Sequence, residues 1–89
     1  MQRLAKEVLA IAVRMGYPEL NILDMYGGID CPLYVLAEEV PQSSDQELKY
    51  MVGVYDMDRA IMNPRLSVWG IPTLERAQVV FEEMKRSGV

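Results

Sequence analysis

Histidine is absent from this chain, and with it the commonest general base and metal-binding imidazole. Ser-His-Asp and Cys-His nucleophilic sites cannot be assembled without it, and neither can a histidine-containing zinc site. Cysteine is nearly absent: Cys31 stands alone, so neither an intramolecular disulfide nor a cysteine-rich zinc site can form. A lone cysteine is more often a small core residue than a reactive thiol, and Cys31 is read that way. No apolar run approaches the ~20 residues needed to cross a membrane. Arg3, Lys6 and Glu7 fall inside a helical pattern, unlike a secretory signal. The expected compartment is cytoplasmic, with no membrane association.

An excess of basic charge is also missing, since nine basic residues face thirteen acidic ones for a net charge of −4. That balance disfavours phosphate-backbone binding as the main activity, so no nucleic-acid partner is expected. It is too mild to suggest nucleic-acid mimicry. Tyr26-Gly27-Gly28 lacks the lysine and spacing of a phosphate-binding loop and the dinucleotide pattern, leaving its glycines to serve a turn.

What is present is ordinary globular chemistry: 51% of residues are hydrophobic and 25% charged. The 89 residues make one α+β domain, residues 1–89. At this length folding buries only about 60% of the unfolded surface, so dimerisation would help.

The region from Leu48 to Arg86 organises the rest. Lys49 to Met57 is the strongest strand candidate, β-branched and aromatic with no proline. Alternation places Tyr50, Val52 and Val54 on one face and Met51, Gly53, Tyr55 and Met57 on the other. Both faces are apolar, as in a central strand covered on both sides. Gly53 marks a bulge or the close approach of another backbone. Asp58 to Pro64 reads as a connection, and Arg65 to Gly70 as a short strand pairing antiparallel with the first. Thr73 is a good N-cap for a C-terminal helix whose apolar stripe is Leu74, Ala77, Val80, Phe81 and Met84. Lys85 and Arg86 suit its C-terminal end, and Gly88 its stop.

Gln2 to Met15 reads as the first helix, ended by Gly16 and Pro18. Ile11, Leu4, Met15, Val8, Ala12, Ala5, Leu9 and Val13 cover an arc of about 200° on a helical wheel, wider than one sheet contact requires. Either the helix is wedged between the sheet and the second helix, which is the preferred reading, or one side meets a partner chain. Leu20 to Met25 is a weaker strand candidate, and Leu33 to Val40 is read as strand rather than a short helix. Pro41 to Glu47 is a polar loop.

The expected fold is therefore α+β, a two-layer sandwich. An antiparallel sheet of three or four strands carries the N-terminal and C-terminal helices on one face, in the order α-β-β-β(-β)-α. Helix, three strands and helix is an order similar to that of double-stranded-RNA-binding domains. Where that family has a basic start to its second helix, this chain has Thr73-Leu74-Glu75-Arg76, so the resemblance does not extend to RNA binding.

Candidate chemistry is sparse. Asp56 and Asp58, with Asp24 or Asp30, have the oxygens to hold Mg²⁺ or Ca²⁺, but a pair flanking a turn is the simpler account. Glu38 and Glu39 are neighbours on a strand and face opposite ways, which argues against an acid/base pair. No catalytic residue, cofactor or metal is expected.

The positive signal is an aromatic and methionine-rich sheet face, open if both helices cover the other one. Its members are Met51, Tyr55, Met57 and Trp69, joined by Tyr34 and Leu36 from the neighbouring strand. Such patches mark partner or dimer surfaces. The competing arrangement places the first helix over this face and leaves no patch. The expected function is a small non-enzymatic accessory or regulatory protein acting by protein–protein interaction. It would be homodimeric, an inhibitor or adaptor of the kind phages and mobile elements carry. The alternative is a small-ligand-binding domain with a pocket between sheet and helices, lined by Tyr17, Tyr26 and the methionines.

Overall fold

The computed structural model describes residues 2–28, 32–41, 43 and 45–87, with side chains from Glu7 onward. Among them the elements are helix α1 (Gln2–Gly16), strands β1 (Leu20–Gly27), β2 (Leu33–Glu39), β3 (Lys49–Asp56), β4 (Ile61–Met62) and β5 (Val68–Ile71), and helix α2 (Leu74–Ser87). The α+β class and the element order are those expected. Strands β1, β2, β3 and β4 form an antiparallel meander, and β5 pairs with β3 beside β4. Among the described residues no helix is long and apolar enough to cross a membrane.

The two helices lie on opposite faces of the sheet, which corrects the expected two-layer arrangement. Alternate residues of β2 and β3 feed two separate cores. Leu33, Val35, Ala37, Met51 and Tyr55 pack with Val13 of α1, whereas Tyr34, Leu36, Val52 and Val54 pack with Ala77 and Phe81 of α2. The physical reason is the apolar character of both faces of the central strands, which no single-sided packing of helices can bury.

Strand β1 shows how the chain solves an irregular pattern. Its apolar residues Leu20, Ile22, Leu23 and Met25 do not alternate. A bulge between Ile22 and Asp24 leaves Leu23 as the extra residue, pairing Ile22 with Ala37 and Asp24 with Leu36. That shift turns Met25 into the core on the α1 side and keeps Leu23 and Asp24 exposed. Gly27 and Gly28 follow at φ of 85° and 96°, the left-handed region that favours glycine.

The connection after β3 holds more structure than its sequence suggests. Met57–Ala60 form a turn that leads straight into β4, and Asn63–Leu66 make a second turn before β5. Asp56 organises the first turn, its Oδ1 accepting from the backbone N–H groups of Asp58 at 2.9 Å and Arg59 at 3.1 Å. What approaches Gly53 is the side chain of Ser67 rather than another backbone: a Cβ on Gly53 would clash with Ser67 Oγ and stand 2.9 Å from Ser67 Cβ.

Helix α2 matches its sequence pattern. Thr73 Oγ1 accepts from Arg76 N–H at 3.2 Å, as an N-cap does. Ala77 and Phe81 are buried and Val80 and Met84 half-buried against the sheet, while Leu74 at the start of the stripe stays exposed. The expected stop at Gly88 lies outside the described residues.

Candidate interaction surface

The six residues expected to share one open face are divided by the sheet. Met51 and Tyr55 lie on the α1 side and are buried there. Tyr34 and Leu36 lie on the α2 side, opposite Val54 and Val52 in register, and are buried as well. Met57, in the turn after β3, and Trp69, on β5, remain exposed. No open aromatic face exists at these positions. The parity of β2 relative to β3 decides this, because antiparallel register pairs Tyr34 with Val54 rather than with Tyr55.

Trp69 and the turn that holds Met57 both border the C-terminal end of α1. Tyr17, which follows the helix, packs its ring 6.0 Å from that of Trp69, and its hydroxyl accepts from Met62 N–H at 2.8 Å. The Ala60 carbonyl, at the end of the turn that holds Met57, sits 3.6 Å from where a Cβ on Gly16 would stand. Burial pushes the Tyr55 phenol above its ordinary value, and Tyr17 and Asp56 add in the same direction. Tyr55 therefore stays protonated at neutral pH and serves as core.

On the far side Tyr26 stacks at 6.2 Å against Tyr34, its partner in register, under the Lys85 ammonium at 5.1 Å. Tyr17 and Tyr26 thus lie on opposite faces of the sheet, and one pocket cannot be lined by both. The apolar depression bounded by Leu66, Val68, Val80 and Met84 opens to solvent along the flank of α2.

Of the candidate carboxylates, Asp56, Glu38 and Glu39 are occupied in local structure. Asp56 caps its turn and approaches Arg59 Nε at 3.8 Å. Glu38 accepts from Asn21 Nδ2 and Glu39 from Gly70 N–H, each at 2.5 Å. Among the described residues no three Asp, Glu or Cys side chains come together in a metal-holding group. Asp30 and Cys31 lie outside the described residues.

The surface that does stand open is the outer side of α1. Val8, Ile11 and Met15 are 55%, 62% and 82% exposed. They follow one another at spacings of three and four, which lines them up along the helix. The opposite side of α1 is covered, with Val13 buried and Leu9 and Ala10 packed against the core on that side of the sheet. The preferred expectation, a helix wedged between sheet and second helix, is therefore corrected: α2 is on the other side of the sheet and cannot reach α1's outer stripe. Glu7 and Arg14 are exposed along one border of the stripe, and the half-buried Ala12 lies along the other. The signal for this surface was the wide apolar arc of the first helix.

Compared with protein-family models, with curated proteins and with solved structures, the chain has no match. The chemistry of this surface is therefore the ground for a functional reading.

Proposed function

We propose that this chain is a small non-enzymatic accessory protein that works by binding protein, and that its working surface is the outer side of α1. The observation that carries the reading is the exposed line of Val8, Ile11 and Met15 on a helix whose other side is already anchored. Three large apolar side chains in a row on a rigid support are a seat for another apolar surface, because covering them releases ordered water at no cost in folding the seat. Methionine at the end of the row adapts to the shape that meets it. The lack of histidine agrees with a role outside catalysis. An inhibitor or adaptor acts in this way, by occupying or bridging a partner's surface.

Site-specific photo-crosslinking in cells making the full chain tests the reading. A photoreactive residue replacing Ile11 is expected to yield protein adducts of defined mass, whereas one replacing Gln78, exposed on α2, is expected to yield none. If position 11 gives no protein adduct, the outer side of α1 is not a contact surface and the reading is lost.

A further inference from the structure

Resting on that reading, we infer that the occupant of α1's outer stripe is α1 of a second copy of this chain, packed antiparallel about a two-fold axis. The argument begins with spacing. Val8, Ile11 and Met15, preceded in the sequence by Leu4, repeat at intervals of four, three and four. This is the alternation of a and d positions in a two-helix seam, with Val8 and Met15 at a and Leu4 and Ile11 at d. On a straight helix these four positions fall within about 60° of one another. A seam so narrow suits one facing helix better than a broad sheet or a groove. The wide apolar arc of α1 thus resolves into two stripes. One faces the sheet through Leu9, Ala10 and Val13, and the other faces outward.

The borders of the outer stripe indicate the partner and its direction. Glu7 and Arg14 occupy the two successive g positions on one side, and both are exposed. Seven residues apart on one helix, they stand roughly 10 Å from each other along its axis, too far for an ion pair within the helix. An antiparallel two-fold pairing that sets Val8 against Ile11 of the second copy also sets g positions against g positions. Glu7 then faces the second copy's Arg14, and symmetry repeats the pair. On the other border the e position is Ala12, a small residue that lets two backbones come close. Parallel pairing would set each g position against the e position five residues on, leaving Glu7 opposite Ala12 and Arg14 with no partner on the helix. The stripe is therefore self-complementary in charge in one orientation only, as an isologous contact requires. The resulting assembly has α1 and its symmetry mate at the centre, a sheet outside each, and α2 outermost.

Four turns of helix pairing with four turns make a contact at the small end of stable interfaces. The mass is therefore measured by light scattering over a dilution series, for the wild type, Ile11→Glu, Glu7→Arg, Arg14→Glu and the double variant Glu7→Arg/Arg14→Glu. Circular dichroism checks that each is folded. The wild type is expected at twice the chain mass of 10.1 kDa, dissociating on dilution. Ile11→Glu is expected to be a folded monomer. Each single reversal turns two attractive pairs into two repulsive ones and is expected to weaken association roughly tenfold to thirtyfold. The double variant is expected to restore it.

A wild type that is monomeric throughout the series overturns the self-pairing, and a cross-link from position 11 to a protein of another mass would then leave the broader reading standing. A dimer that survives Ile11→Glu places the contact elsewhere and also overturns it. A dimer lost with Ile11→Glu but indifferent to both reversals overturns the antiparallel geometry.

Discussion

Helices α1 and α2 are nearly equal in length, 15 and 14 residues, and each covers one face of the same sheet. They differ in how much of their apolar surface that contact uses. In α2 Ala77, Val80, Phe81 and Met84 point inward, while Glu75, Arg76, Gln78, Glu82, Glu83 and Arg86 take the solvent side with two exposed apolar residues, Leu74 and Val79, whose spacing of five does not line them up. In α1 the inward side is filled by Leu9, Ala10 and Val13, and the outward side carries Val8, Ile11 and Met15. The lesson is one of arc width. A stripe of roughly 100–120° is what a helix needs to sit on a sheet, and apolar residues beyond it have no structural work inside the monomer. When such residues also fall in line, they describe the face of something else.

The comparison is sharpened most by removing the residue that anchors α2. Phe81 is buried against β2 and β3 and receives the Lys85 ammonium at 4.8 Å over its ring. Phe81→Ala is expected to cost about 3–5 kcal/mol of unfolding free energy, read from urea denaturation, because the cavity under α2 has few ways to close. A loss below about 1 kcal/mol would mean that α2 is not docked as described. The matching residue on α1 is Val13, fully buried between that helix and the sheet. Val13→Ala deletes two methyl groups and is expected to cost about 2 kcal/mol in the same measurement. If it costs nothing, α1 is not anchored, and its outer stripe is not held on a rigid support.

Much of this contrast is legible in the sequence. The N-cap at Thr73, the stripe of α2, the alternation of β3 and the strand character of β2 are local patterns, each set by a few neighbouring residues. What local pattern could not carry was the assignment of helices to faces. Tyr34 and Leu36 read equally well on either side of the sheet, since β2 is apolar at every position from Leu33 to Ala37 and only its pairing with β3 decides their parity. The bulge at Leu23 was hidden for the same reason: four apolar residues in six positions of β1 fit no single period. Strand β4 is two residues long and leaves no periodic trace. The apolar character of both faces of β3 did contain the answer for the layers. Two apolar faces and two helices call for one helix on each, and the width of α1's arc then points outward rather than toward α2.

The smallest effect is the most telling about α1. Ile11→Ser exchanges a large apolar side chain for a polar one at a position 62% exposed. Isoleucine and serine have similar helix propensities, so the helix itself is little disturbed. Measured at dilutions where the chain is monomeric, its unfolding free energy is expected to stay within about 0.5 kcal/mol of the wild type. Measured where chains associate, the same substitution is expected to lower apparent stability in proportion to the association it removes, since a partner that binds only the folded chain stabilises it by mass action. The two conditions separate a residue that faces a partner from one that faces its own core. A loss of several kcal/mol at high dilution would show that Ile11 belongs to the core, and the contrast between the two helices would be gone. A shift confined to the concentrated sample ties the surplus apolar surface of α1 to contact between chains, which is the difference that sets this helix apart from α2.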